Sequence, residues 1–122
     1  FLDAGYAVAA TDYVGLGTPG LHSYSVGEDL GNAVADIVPA AHAANDALSP
    51  TWFAVGHSEG GQAALFASRA ASRHPDLPLA GTVAIAQMQL KEPAKPVMRD
   101  QPERYARWAS KCAAVVLADC GG

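Results

Sequence analysis

The sequence predicts an α/β fold, with a parallel sheet that carries helices on both faces. Three observations lead to this prediction: short apolar runs of strand length, helical periodicities between them, and the alternation of the two along the chain. The order is strand, helix, strand, helix, strand, which implies right-handed crossovers between parallel strands. The 122 residues, 50% of them hydrophobic, suffice for one domain with a buried core.

The first half of the chain supplies one strand and one long helix. Residues 6–11 are apolar without helical spacing, which predicts a buried strand, and a turn-rich loop follows. Ser25 and Glu28 fit a capping box at the start of a helix with apolar residues at three- and four-residue steps. Because Pro39 interrupts this pattern, we expect a kink or two consecutive helices.

The second half supplies two further strands with a helix between them. Residues 51–55 and 81–86 are the expected strands, and the helix between them should end near Arg73. The sequence then becomes polar and rich in proline, and residues 100–103 could cap another helix. One face of that helix would carry Tyr105, Trp108, Ala109, Cys112 and Val116.

The chain divides into two parts on this basis. Residues 1–86 form the core of the α/β domain, and residues 87–122 form an incomplete helical excursion from it. The chain lacks an initiator methionine and starts a strand almost at once, so we expect a fragment of a longer protein.

The composition argues against several classes of function. The net charge of −4, without a basic cluster, argues against nucleic-acid binding, and no apolar run of about 18 residues indicates a membrane span.

Cys112 and Cys120 would lie about 12 Å apart on one helix, so a disulfide requires the helix to end near Ala118. Two free or buried thiols are the expected state, and no metal-ligand spacing accompanies them. The oligomeric state is left open.

Ser58 is the candidate catalytic residue, at the centre of a G-x-S-x-G motif. The motif runs from Gly56 through His57 to Gly60 and lies between a predicted strand and a predicted helix, which is the context of a nucleophile elbow. The serine must stand on a sharp turn. The two glycines are therefore expected to leave room for the strand and the helix to approach each other.

The same turn directs hydrogen-bond donors toward the serine. The free N–H groups and the positive dipole end of the following helix point at an oxyanion formed there, and Glu59 contributes its backbone N–H. The side chain of Glu59 is expected to face solvent. Asp12 ends the first strand on the same edge of the sheet, where it either binds loop N–H groups or flanks the oxyanion.

No histidine of the sequence is placed to act as the base of a triad. The triad histidine follows the nucleophile in this kind of fold, and His74, the only one downstream, lies about 20 Å away at the far end of a helix. His57 neighbours the serine, but adjacent side chains on a turn diverge. His22 and His42 precede it. The triad histidine and acid are therefore expected to be absent from the chain.

A second glycine-rich segment, residues 15–20, formally matches the dinucleotide fingerprint G-x-G-x-x-G. In that fingerprint the helix opens within the glycines, whereas here the first capping signal comes at Ser25. We interpret the segment as a loop of the candidate site, and no cofactor is predicted.

Together these motifs resemble the secretory lipase family of α/β-hydrolases (the Candida lipase A type). The resemblance rests on residues 5–20, 22–24 and 56–64, and it spans approximately residues 5–86. It implies a partial α/β-hydrolase fold, a lid-like role for residues 87–122, an extracellular location, and an acyl ester or lipid substrate. It also implies specific residue roles: the nucleophile is Ser58, and the oxyanion hole is formed by Asp12 and Glu59.

The expected function is thus a serine carboxylic ester hydrolase, a lipase or esterase that forms an acyl-enzyme at Ser58. A serine peptidase or thioesterase on the same fold is an alternative, because the elbow does not determine the leaving group. A non-catalytic α/β module is another, favoured by the lack of a downstream triad histidine.

Overall fold

The computed structural model describes residues 1–85 and residues 115–119. These residues contain four strands, which are β1 (Tyr6–Ala10), β2 (Trp52–His57), β3 (Leu79–Ile85) and β4 (Val115–Asp119). The described part of the chain also contains two helices, α1 (Gly27–Ala44) and α2 (Glu59–Ala70), with short 3₁₀ turns at Leu2–Ala4 and Ala71–Arg73. The α/β class is confirmed, and the first three strands and the two helices lie close to where the sequence predicts them.

The strands form one sheet in the order β1-β4-β2-β3. β2 and β3 are parallel and joined by α2, whereas β4 is antiparallel to both of its neighbours, β1 and β2. β1 and β2 therefore run in the same direction. Val115 pairs with Ala10 on one side and with Val55 on the other, so the carboxyl ends of β1 and β2 are level on one edge of the sheet.

The antiparallel strand β4 is not predicted by the sequence, which favours a helix that includes Val116. This part of the prediction is wrong. Two adjacent β-branched residues suit an extended strand, and a central position in the sheet gives the backbone of β4 hydrogen-bond partners on both sides. The rest of the predicted helix, both cysteines and the proline-rich segment lie outside the described residues.

The two helices pack against each other and against one face of the sheet. The buried core between them contains Leu30, Val34, Val38, Trp52, Ala54, Ala63, Ala64 and Ala67. The sequence predicts helices on both faces of the sheet. Both helices of the described residues lie on this face. On the opposite face Val8, Val83 and Ile85 are exposed.

Helix α1 begins later than the sequence predicts and is continuous through Pro39. The prediction of a capping box at Ser25 and Glu28 is wrong, because the N-cap is Val26 and makes no side-chain cap. Ser25 instead has a left-handed backbone, with φ 60°, and binds the start of α2 through its main chain. A tertiary contact has therefore replaced the local cap.

Candidate active site

Ser58 occupies a strained turn between β2 and α2. Its φ is 57° and its ψ is −118°, a conformation that side-chain-bearing residues rarely adopt and that costs about 1 to 3 kcal/mol. Its N–H donates to the carbonyl of Ile85 at 2.9 Å, and its carbonyl accepts from the N–H of Gln62 at 3.2 Å. Ser58 is half-buried. The turn thus holds the serine at the carboxyl edge of the sheet without enclosing it.

Gly56 permits the close approach of strand and helix that this turn requires. A Cβ atom at Gly56 would overlap the carbonyl group of Gly60, which is buried in the first turn of α2. His57, the last residue of β2, is exposed and pairs with Ile85. The geometry is therefore that of a sharp strand-to-helix turn with Ser58 at its apex.

The carboxylate of Glu59 is fully buried, so the prediction that it faces solvent is wrong. Oε1 accepts a hydrogen bond from the N–H of Ser25 at 3.3 Å and lies 3.1 Å from Nε2 of His22. The side chain is 0% exposed. Oε2 has no hydrogen-bond partner among the residues that the structure describes. The cause is tertiary, because the loop between β1 and α1 folds over the start of α2 and encloses the carboxylate.

His22 is the residue that this loop brings to the carboxylate. Its side chain is 3% exposed, and its ring stacks on Tyr13 at 5.7 Å between centroids. Nδ1 lies 2.9 Å from the carbonyl oxygen of Val14. Because a carbonyl can only accept, Nδ1 donates to it, and Nε2 shares a second proton with Glu59. Both ring nitrogens therefore carry or share a proton.

The surroundings of His22 act on its pKa in opposite directions. Burial of the ring lowers the pKa, whereas the hydrogen bond to Glu59, the bond to the Val14 carbonyl and the negative charge of Glu59 raise it. The net effect is a pKa above the ordinary value of the imidazole. The structure therefore favours an imidazolium and carboxylate ion pair beside the nucleophile.

Asp12 and Ser58 lie at the same edge of the sheet, at the ends of two strands that run in the same direction. Ala10 and Val55 are level in the sheet. Asp12 lies two residues beyond Ala10, and Ser58 lies three residues beyond Val55. One strand separates β1 from β2, so their axes are about 10 Å apart. Asp12 is exposed. The shared edge that the sequence predicts for these two residues is present.

The glycine-rich segment is a turn and does not begin a helix. Gly15, Gly17 and Gly20 have φ values of 81°, 74° and 120°, and a Cβ at Gly15 would overlap the backbone at His22. Helix α1 starts only at Gly27, beyond the last glycine of the motif. The segment thus lacks the helix N-terminus that holds a pyrophosphate in the dinucleotide fingerprint.

The four histidines of the chain all lie within the described residues, and none of them is hydrogen-bonded to Ser58 there. His74 binds Asp36, with 2.9 Å between Nε2 and Oδ1, beyond the far end of α2. His42 belongs to α1, and the Nε2 atom of its ring is buried. The positions of His57 and His74 agree with the sequence argument that neither acts as the base.

Sequence reasoning misses the part of this site formed by His22, Ser25 and Gln62. Gln62 donates from Nε2 to the carbonyl of Ser25 at 3.0 Å, next to the contact between Ser25 and Glu59. His22 and Glu59 are 37 positions apart in the sequence, and no local pattern relates them. The one signal in the sequence is the pair of glycines that follows Glu59, because small residues permit the close approach of another segment; both glycines are buried.

Within the residues that the structure describes, no three metal-binding side chains come together. No described helix combines the length and apolar character needed to cross a membrane.

The family model for secretory lipase matches residues 1–90, and the chain belongs to that family. No curated protein and no solved structure matches it. The resemblance stated from the motifs is thereby confirmed. Membership implies an α/β-hydrolase fold, hydrolase activity of the lipase or esterase kind, and secretion.

Proposed function

We propose that this member of the secretory lipase family is a carboxylic ester hydrolase that cleaves acyl esters or lipids through an acyl-enzyme at Ser58. The observation that supports the proposal most directly is the backbone of Ser58. A half-buried serine holds a left-handed conformation between a strand and a helix, at a turn where Gly56 has no room for a side chain. Strain of this kind persists where the surrounding structure enforces it, often at functional sites.

In the proposed reaction, Oγ of Ser58 attacks the carbonyl carbon of the ester while its proton passes to a base. The tetrahedral intermediate collapses, and the alcohol leaves with that proton. Water then attacks the acyl-enzyme, gives its proton to the base, and releases the carboxylic acid and the free serine. Membership in the secretory lipase family supports this class of chemistry.

The oxyanion of that intermediate needs donors, for which we propose Glu59 and Asp12. Glu59 is the first residue of α2, so its N–H belongs to the helical turn that lacks intrahelical acceptors. An ionised carboxylate can only accept hydrogen bonds, so we assign the contribution of Asp12 to its backbone N–H. The N-terminal dipole of α2 adds positive potential at the same place.

The base of the proposed reaction is not one of the four histidines described above. His22 is committed to Glu59 and Val14, and His74 to Asp36. We propose that the histidine and the acid of the triad are residues outside these 122, which is consistent with a triad order of nucleophile, acid and histidine.

Exposed side chains of the loop between β1 and α1 support the proposal that the substrate is apolar. Val14, Leu21 and Val26 are exposed apolar residues of this loop, which follows the carboxyl end of β1. An acyl chain in contact with these side chains would remove apolar surface from water. This agrees with the lipid or acyl ester class that the family implies.

Covalent labelling tests the proposal. A fluorophosphonate should phosphonylate Ser58 in the full-length product of the gene, as seen by peptide mass spectrometry, and an ester substrate should slow the labelling. Ser58→Ala should abolish the adduct. Ser68→Ala should leave it unchanged, because Ser68 is an exposed serine on α2 bonded to Leu65. Absence of any adduct on Ser58 would overturn the proposal.

One observation favours a second candidate, a non-catalytic α/β module: no described histidine is hydrogen-bonded to Ser58. The labelling experiment separates the two candidates, because a module without catalytic function has no activated serine. A matched set of ester, thioester and amide substrates with one acyl group would distinguish an esterase from a thioesterase or peptidase.

A further inference from the structure

We propose that Glu59 and His22 are positioning residues that hold the loop of residues 12–25 on the nucleophile elbow and thereby place Asp12 beside Ser58. The role of Asp12 rests on the proposed function, whereas the pairing and its effect on the loop do not. Below, this loop is called the 12–25 loop and the two side chains the Glu59–His22 pair.

A continuous series of contacts runs from the nucleophile to Asp12. Glu59 follows Ser58 directly and reaches Nε2 of His22 at 3.1 Å. The other ring nitrogen of His22 donates to the carbonyl of Val14 at 2.9 Å. Val14 lies two residues after Asp12, and Tyr13 between them stacks on the His22 ring with 20° between the planes. The first part of the 12–25 loop is therefore attached to the residue beside the nucleophile.

The last residue of the 12–25 loop is attached to the same helical turn. Ser25 donates its N–H to Glu59, and its carbonyl accepts from Gln62 at 3.0 Å. Ser25 has a φ of 60°, which a serine rarely adopts, so these contacts hold it in an unfavourable conformation. Glu59 thus binds the loop at two points, one through His22 and one directly.

The charge of the pair makes this attachment depend on one proton. Glu59 is fully buried, and His22 is the one described residue that forms an ion pair with it. Tyr13 and Tyr24 lie against the His22 ring, with the Tyr24 centroid 6.4 Å away, and the amide of Gln62 binds beside Glu59. The acidic side chains at the start of α1 belong to Glu28 and Asp29, and both residues are exposed.

Loss of the His22 proton would remove the attachment through Nε2. The Val14 carbonyl requires a proton on Nδ1, so in neutral His22 the lone pair of Nε2 would face the carboxylate of Glu59. Two acceptors facing each other repel. The 12–25 loop should therefore loosen as the pH rises through the pKa of His22.

The pairing is tested first in the unmodified full chain by nuclear magnetic resonance. Imidazole ¹⁵N signals should show His22 losing its Nε2 proton with a midpoint above the ordinary pKa of histidine. The amide signal of Ser25 should shift with the same midpoint. A His22 that is already neutral at pH 6.5, or a Ser25 amide that ignores this titration, would overturn the inference.

The positioning role is tested with Glu59→Ala, Glu59→Gln and the control Glu28→Gln, which changes an exposed carboxylate at the start of α1. In the full-length product, Glu59→Ala should slow fluorophosphonate labelling of Ser58 about 100-fold, because displaced groups lose reactivity steeply. Amide hydrogen exchange should accelerate within the 12–25 loop. Glu28→Gln should change neither measurement.

Glu59→Gln separates positioning from simple stabilisation. Both contacts of Glu59 meet at Oε1, so in Glu59→Gln the amide oxygen at that position accepts from Ser25 and from Nε2 of protonated His22, and most of the labelling rate should return while His22 is protonated. The decline of the rate expected at alkaline pH in the unmodified protein should begin at a lower pH, because the neutral amide lacks the charge that raises the pKa of His22. A folded Glu59→Ala variant with an unchanged rate, or a Glu59→Gln variant whose decline stays at the pH of the unmodified protein, contradicts the inference.

The two proposals fail in different ways. If Ser58 is unreactive in every variant, the proposed function is wrong, and the His22 titration and hydrogen exchange still decide whether the pair holds the loop. If Glu59→Ala does not fold, the Glu59→Gln variant and the titration of His22 in the unmodified chain decide whether the Glu59–His22 pair holds the 12–25 loop.

Discussion

The backbone N–H of Ser58 donates a 2.9 Å hydrogen bond to the carbonyl of Ile85, the last residue of β3. This bond extends the pairing of β2 with β3 one residue beyond the end of β2. The elbow is therefore anchored to the sheet at the position where its backbone becomes strained. Substitutions of Ser58 should therefore reveal the energetic cost of its strained backbone.

Ser58→Gly should be more stable than Ser58→Ala by about 1 kcal/mol, because glycine tolerates a positive φ without a Cβ clash. Both variants lack the hydroxyl, so their difference reports the backbone alone. Urea denaturation of the two proteins measures it.

Ser68 provides the control, since it lies within α2 and should show the opposite order, with Ser68→Gly less stable than Ser68→Ala by about 1 kcal/mol. If both positions favour alanine, Ser58 is not strained.

Gly56→Ala should destabilise the fold by about 1 to 3 kcal/mol, because the new methyl group overlaps the Gly60 carbonyl and forces the strand and the helix apart. Thermal denaturation followed by circular dichroism gives the change. Gly81→Ala is the matched control in β3, where the Cβ meets the ring of Phe53 at an ordinary 3.4 Å. Equal effects of the two substitutions would argue against close contact at the elbow.

The stability of the fold should fall as the pH rises through the folded-state pKa of His22. That pKa is raised above the ordinary value, so the native state binds the proton more tightly than the unfolded chain. The resulting stabilisation is complete below about pH 6.5, the ordinary histidine pKa, and is lost above the raised value.

The measurement for this prediction is the free energy of unfolding of the unmodified chain and of Glu59→Gln between acidic and alkaline pH. The difference between the two should decline across the titration of His22. A difference that is constant with pH would show that the pair is not ionised.

His74→Ala should leave the labelling of Ser58 unchanged and cost less than about 1 kcal/mol, as is typical of partly exposed ion pairs. His74 is bonded to Asp36, which also pairs with Arg73 at 3.3 Å, and all three side chains are at least partly exposed. Phosphonate labelling and urea denaturation measure the two effects. A large loss of labelling would mean that His74 takes part in the reaction.

The 122 residues alone should show little esterase turnover, because none of their histidines is hydrogen-bonded to Ser58 in the described structure. An isolated nucleophile retains only a small part of the rate enhancement of a complete triad. Hydrolysis of p-nitrophenyl esters tests this, with Ser58→Ala as the control. Strong turnover that depends on Ser58 would show that a base within the chain has been overlooked.

The elements around the nucleophile follow from local patterns in the sequence. The apolar run before Gly56, the G-x-S-x-G motif and the helical stretch after it are local signals, and the structure has β2, the turn and α2 in the same places. Helix α2 ends at Ala70, and the 3₁₀ turn that continues it ends at Arg73, where the sequence predicts the helical segment to end. These features were predictable because backbone propensity and the steric needs of a tight turn act between residues close in sequence.

Tertiary structure alone decided the surroundings of that turn. β4 pairs between β1 and β2 from more than 50 residues away, and Glu59 is buried because His22 and Ser25 arrive from another segment. A carboxylate faces solvent by default, and the cost of burying it is met only when the fold provides a cation and donors. Such partners are determined by which distant segments pack together, and residue patterns within a short window do not contain that information.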